Sequence, residues 1–174
     1  MPLSIPLPET RLLLDNDVFS HLRNGHPYVA KAVGEYYDRF KSVPALPSMT
    51  LFESLFGIEK AVATGKTTPE KAQEYRNRVE KLLQSHPVLP IDAEAATIAA
   101  HIYPRVLAYI EKLPNLSKRT RKDKLEKIWK DIFIAATALA YGYGVASGNR
   151  GDFELIADHL PDNYRDLPFA EWKP

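Results

Sequence analysis

Three consecutive leucines in RLLLD (11–15) fit neither a helical nor an alternating period, and such a short unbroken apolar run predicts a strand covered on both faces. Residues 16–23 then predict a short helix that stops at Asn24-Gly25, a favourable helix terminator. Apolar residues at 29, 32, 33, 36, 37 and 40 recur at helical spacing and predict a helix over 28–40. SVPALP (42–47) predicts a second strand, with its prolines at an edge or at the strand ends. Thr50 and Glu53 stand at capping-box spacing at the head of a helix reaching residue 63, before Gly65. Pro69 suits the first turn of a charge-rich helix extending to residue 84. HPVLPI (86–91) predicts a third strand, and Asp92 caps an alanine-rich helix over 93–113 that is bent near Pro104. Residues 131–141 predict another alanine-rich helix, stopped by Gly142, and YGVAS (143–147) a fourth strand. Pro2, Pro6 and Pro8 make residues 1–10 an irregular lead-in, and the tail from Pro161 shows no clear period. Strands alternating with helices predict an α/β fold with a mostly parallel sheet.

Composition narrows the class. A length of 174 residues suits a single domain over 1–174, and 45% hydrophobic with 26% charged residues excludes global disorder. Lys plus Arg total 23 against 22 Asp plus Glu, so no uniformly basic coat exists. The absence of cysteine removes disulfides, thiolate zinc sites and thiol nucleophiles together. The opening MPLSIPLPET lacks the features of a secretory signal, and no apolar run is long enough for a membrane span, so a cytoplasmic protein with no membrane partner is expected.

The acidic residues carry the chemistry. Asp15 ends the first strand, while Ser147, Asn149 and Asp152 follow the last. In an open parallel sheet, ligands collect beyond the carboxyl ends of the strands, so neighbouring strands would bring these groups to one rim. Asp131 is expected at a helix start and Glu53 in a first turn. Four converging carboxylates repel one another, and an oxygen-only set suits Mg2+ or Mn2+ rather than zinc. Each also has an ordinary structural use. Glu53 completes a capping box, Asp131 favours a helix N-terminus, Asp152 caps a short helix, and Asp15 turns the chain.

The flanking sequences decide between these uses. LLLDNDVF (12–19), SMTLFESLFGIEKA (48–61) and DIFIAATALAYGYGVASGNRGDF (131–153) resemble, in that order, the PIN-domain nucleases, and most of all VapC-type toxins of bacterial toxin–antitoxin pairs. The resemblance implies a three-layer α/β/α sandwich with a mostly parallel central sheet. It implies a Mg2+- or Mn2+-dependent ribonuclease whose catalytic and metal-binding acids are Asp15, Glu53, Asp131 and Asp152, supported by Asp17, Asn149 and Ser147. A cognate antitoxin and a homodimer are implied as partners. Gly148 stands where many relatives carry Arg, and Asp17 where Asn is frequent.

A basic run over 112–130 holds eight Lys or Arg against two acids, a net of +6, which leaves −5 for the rest of the chain. It is read as an insertion or connection, and its position before Asp131 makes Lys118, Arg119, Arg121, Lys122 and Lys124 candidates for RNA contact. A solvated face is the ordinary alternative. Two other functions compete with the ribonuclease. Asp15-Asn16-Asp17 resembles the D-x-D of haloacid-dehalogenase-type phosphohydrolases, with Asp15 as nucleophile. A non-catalytic binding module would retain the acids as caps or relics.

Overall fold

Leu12, Leu13 and Leu14 are all buried, and they point alternately into two different cores. Leu13 joins Val145 in one cluster; Leu12 and Leu14 join Ala146 in the other. That alternation accounts for the unbroken apolar run, since a sheet with helices on both faces has no polar side.

The computed structural model describes residues 3–6, 9–114 and 117–173. In chain order its elements are β1 (Leu3–Ser4), β2 (Leu12–Leu14), α1 (Asn16–Arg23), α2 (Pro27–Phe40), β3 (Leu46–Pro47), α3 (Ser48–Ala63) and α4 (Pro69–Leu83). They continue with β4 (Val88–Leu89), α5 (Ala93–Lys112), α6 (Lys118–Ala140), β5 (Gly144–Ser147), α7 (Arg150–Ala157) and β6 (Leu167–Glu171). Four strands pair in the order β1-β6-β5-β2, and β3 pairs with β4, all parallel. Backbone bonds from Leu14 N to Ala45 O (3.0 Å) and from Ala45 N to Leu12 O (3.1 Å) join the two sets edge to edge. Helices α5, α6 and α7 cover one face with Ile102, Ile110, Ile128, Ile132 and Phe153. Helices α1 to α4 cover the other with Phe19, Val29, Ile58, Ala72 and Val79. The result is the expected α/β/α sandwich, whose chain leaves β2 toward one edge and β5 toward the other. The crevice between β2 and β5 is therefore a topological switch point, the usual ligand position in such a sheet.

Several elements differ from expectation. The lead-in is not wholly irregular, because Leu3 and Ser4 register with Leu167 and Pro168 of β6. The unpatterned tail supplies β6 itself, an internal strand despite Pro168: Trp172 N bonds Ser147 O at 3.1 Å, so by alternation Pro168 turns its missing N–H toward β5 at a point before that strand begins at Gly144. The second strand shrinks to Leu46–Pro47. Residues 118–130, within the run read as an insertion or connection, form the first half of α6, capped by the Ser117 hydroxyl on Thr120 N at 3.1 Å. Asp131 therefore sits inside a helix of 23 residues, not at its start. Lys, Arg and Glu are good helix formers, so the change in composition at 118–130 does not break the helix.

Close strand approach has a further requirement at Gly144. A Cβ there would lie 2.7 Å from Pro168 O and 3.1 Å from Leu12 Cδ2, so only glycine admits the β6–β5–β2 packing.

Candidate active site

Asp15 lies one residue beyond β2, where it caps α1: its Oδ1 accepts the Val18 N–H at 2.8 Å. Its Oδ2 accepts the hydroxyl of Ser147, the last residue of neighbouring β5. Asp15 is 4% exposed and Ser147 fully buried, so the pair joins the two central strands at the floor of the switch-point crevice. The Asp15 carboxyl is pushed up from 3.8 to about 7. Burial is the main cause, opposed by the bonds from Ser147 and Val18 and reinforced by the charges of Asp17 and Glu53.

Asp131 faces the same crevice from the middle of α6. Burial raises its carboxyl well above the ordinary value, and the charges of Asp15, Asp152, Glu53 and Asp17 raise it further. Asn149, which follows the strand by one residue past Gly148, bridges two acids. Its Nδ2 donates to Asp152 Oδ2 at 2.7 Å and to Asp131 Oδ2 at 3.4 Å, and its own N–H donates to Ser147 Oγ at 2.9 Å. Asp152 sits in the first turn of α7 without acting as its cap.

Glu53 completes the set from α3, but the capping box does not form. The helix already starts at Ser48, after Pro47, and the Thr50 hydroxyl donates instead to Leu14 O at 2.9 Å across the sheet. That buried bond holds α3 against the end of β2. Glu53, freed from the cap, accepts Lys130 Nζ at 2.9 Å. Lys124 Nζ lies 3.5 Å from Asp152 Oδ1.

Asp15, Asn16, Asp17, Glu53, Lys127, Lys130, Asp131, Asn149 and Asp152 together line one cleft of about 390 Å³. The four expected acids and Asp17 thus share a site, with Ser147 and Asn149 bracing them. The basic candidates divide. Lys124 reaches Asp152, whereas Arg121 donates to Leu113 O at 2.9 Å, Lys122 pairs with Glu126 at 3.6 Å, and Lys118 and Arg119 are exposed near the start of α6. Lys127 and Lys130, left out of the candidate set, line the cleft instead. Helical phase links them to the site: 124, 127 and 131 fall on one stripe, and 130 neighbours 127 at i+3, once 118–140 is one continuous helix.

The donor chemistry fits a hard divalent cation. Every candidate ligand is oxygen, and burial together with the neighbouring acids raises the proton affinity of Asp15 and Asp131, a penalty that a cation would relieve. In the arrangement described, Lys130 and Lys124 occupy two of the acids. Among the described residues, no three acidic or histidine side chains are grouped to enclose an ion as they stand.

Residues 12–158 match the PIN domain family. Among solved structures, VapBC from Salmonella typhimurium bound to DNA superposes with a TM-score of 0.63 at 19% identity, over 94% of this chain and 99% of that one. VapBC2 from Rickettsia felis bound to a promoter DNA fragment gives 0.60 at 16%, over 93% and 98%. FitAcB from Neisseria gonorrhoeae gives 0.56 at 21%, over 92% and 96%. A search of curated proteins finds no match.

Proposed function

The chain belongs to the PIN domain family, and from that premise we propose that it is a divalent-cation-dependent ribonuclease acting as the toxin of a toxin–antitoxin pair. The observation that carries this reading is the convergence of Asp15, Glu53, Asp131 and Asp152 on one cleft at the switch point of a parallel sheet. Asp15 and Asp131 would hold Mg2+ or Mn2+, with Glu53 and Asp152 closing the shell. Such an ion supplies Lewis-acid charge to a phosphodiester under attack by water.

The chain's own groups do the rest. Ser147 and the Val18 amide fix both oxygens of Asp15, so this carboxylate offers a set geometry. Asn149 holds Asp131 and Asp152 at a fixed separation. Lys127 and Lys130, on the cleft wall, would meet the phosphate backbone, and Lys130 becomes available once Glu53 turns to the ion. Lys124 extends the same stripe along α6. This row replaces the exposed Lys118, Arg119 and Lys122 as the favoured RNA contact.

The family match extends over 147 residues and supports this reading over the phosphohydrolase and the inert module. The likeness to VapBC and FitAcB complexes supports an antitoxin partner. A homodimer is supported by the exposed Phe52, Leu55 and Phe56 on α3, where the two phenyl rings stack at 5.6 Å. Among the described residues no helix is long and apolar enough to cross a membrane. The test is a Mn2+ titration of melting temperature combined with cleavage of single-stranded RNA. Wild type is expected to be stabilised and to cut, and Glu53→Gln to respond to 10- to 100-fold higher Mn2+ and to cut poorly. Equal behaviour of the two proteins would remove Glu53 from the site.

A further inference from the structure

Beside the catalytic cleft, and sharing Asn16 and Glu53 with it, lies a second hollow of about 210 Å³ among α1, α3 and α4. Arg23, from the last turn of α1, stands in its wall with Ser54 from α3 and Tyr75 from α4. Arg23 Nη1 donates to Ser54 Oγ at 2.9 Å, and the guanidinium carbon lies 5.5 Å from the centre of the Tyr75 ring. Burial lowers the Arg23 guanidinium from its ordinary value, with Tyr75 opposing and Arg78 adding to the shift. Glu53, the acid on this wall, is already committed to Lys130.

The hollow also gathers orphaned polar atoms. Arg23 Nε and Asn16 Oδ1 are both buried and have no hydrogen-bond partner among the described residues. One is a donor and the other an acceptor, and both belong to residues lining the same space. Two other such atoms, on His26 and Arg121, belong to residues that do not line it. Buried polar groups are normally satisfied, so an unpaired donor and an unpaired acceptor on two residues lining one hollow are available to a ligand there once the side chains turn into it. Gly57, Ile58 and Ala61 supply an apolar stretch of wall against which a flat ring can lie, beside Ser20 and Thr67.

We propose that this hollow receives one base of the RNA strand, next to the scissile phosphate, and prefers guanine. The proposal rests on the nuclease reading and deepens it. Proteins read single-stranded RNA by splaying bases onto aromatic and guanidinium planes and bonding their edges. The space is smaller than the roughly 300–1,000 Å³ of sites for drug-sized ligands, which suits a single ring system. Guanine offers O6 and N7 acceptors on one edge, the pattern an arginine fork matches, and N–H donors on another for Asn16 Oδ1. Adenine lacks the O6 acceptor. Because Asn16 lines both spaces, a base held here would leave its backbone at the cleft.

The test is to map cut sites in a randomised single-stranded RNA pool by sequencing the product ends, using full-length wild type, Arg23→Met, Arg23→Lys and Tyr75→Leu with Mg2+. Wild type should show guanine enriched about 10-fold or more at one fixed position within two nucleotides of the cut. Arg23→Met should flatten that enrichment to within about 2-fold. Arg23→Lys keeps the charge without the fork and should flatten it too, which covers the case in which the methionine variant fails to fold. A wild-type profile without guanine preference, or one unchanged in both arginine variants, overturns the proposal. If wild type cuts no RNA with either cation, the nuclease reading fails, and the hollow is judged separately by nuclear magnetic resonance. Millimolar guanosine 5′-monophosphate should then move the Arg23 Nε–H resonance and uridine 5′-monophosphate should not. No movement with either nucleotide overturns the base site.

Discussion

Asp15→Asn should make the metal-free protein more stable at alkaline pH and change it little at acidic pH. The Asp15 carboxyl ionises at about 7 in the fold against 3.8 for an ordinary side chain, chiefly because it is buried. A folded value above the unfolded one means that the contribution of Asp15 is complete below pH 3.8 and is lost as pH rises to about 7. At roughly 1.36 kcal/mol per unit, the wild type loses about 2–3 kcal/mol from this group between pH 5 and pH 8. Asparagine cannot ionise, still accepts the Val18 N–H as a helix cap, and can donate to the Ser147 oxygen. Removing the Asp15 charge also relieves Asp131, which acts in the same direction. For a chain of this size about 2–4 °C accompanies each kcal/mol, so the melting-temperature gap between variant and wild type should widen by roughly 5–10 °C from pH 5 to pH 8. The assay is thermal unfolding by circular dichroism in EDTA at the two pH values. A gap that stays constant, or that widens toward pH 5, would refute the electrostatic account of the cleft.

Three further substitutions probe the scaffold. Thr50→Val keeps shape but strands Leu14 O, and should cost about 1–3 kcal/mol in a urea melt. Gly144→Ala drives a Cβ into Pro168 O and Leu12, and should destabilise by about 1–3 kcal/mol in the same assay. Lys130→Met leaves the 13%-exposed Glu53 side chain without its cation, and should cost about 1–2 kcal/mol without metal. Because the ion then has no lysine to displace, Mn2+ should raise the melting temperature of this variant more than that of wild type.

The apolar and acidic anchors of the site were legible in the sequence because they are local. The leucine run marks a doubly covered strand, and Asp15, Asp131, Asn149 and Asp152 stand in motifs whose order alone carries the resemblance. What the sequence obscured depends on contacts distant along the chain. Thr50 and Glu53 have the spacing of a capping box, yet Thr50 finds Leu14 O 36 residues away and Glu53 finds Lys130 77 residues away. Helix α6 looks divided at residue 130 in the sequence because its first half is charged and its second apolar, although both halves are good helix formers. That division concealed Lys127 and Lys130, whose place in the cleft follows from helical phase. Strand β6 lies in a tail without a clear period, and only its register with β5, which begins too late to need an N–H from Pro168, shows why a proline is tolerated inside the sheet.

The central claim is that Asp15, Glu53, Asp131 and Asp152 act together through a divalent cation to cut RNA. It is tested most directly by the single-turnover cleavage rate of an end-labelled single-stranded RNA, measured for wild type and Asp131→Asn in Mg2+, in Mn2+ and in EDTA. Wild type should cut with either cation and fall to background in EDTA, while Asp131→Asn, with an unchanged circular dichroism spectrum, should be slower by about 100-fold or more. Cleavage that survives EDTA, an Asp131→Asn rate equal to wild type, or no cleavage by wild type with either cation would contradict the account.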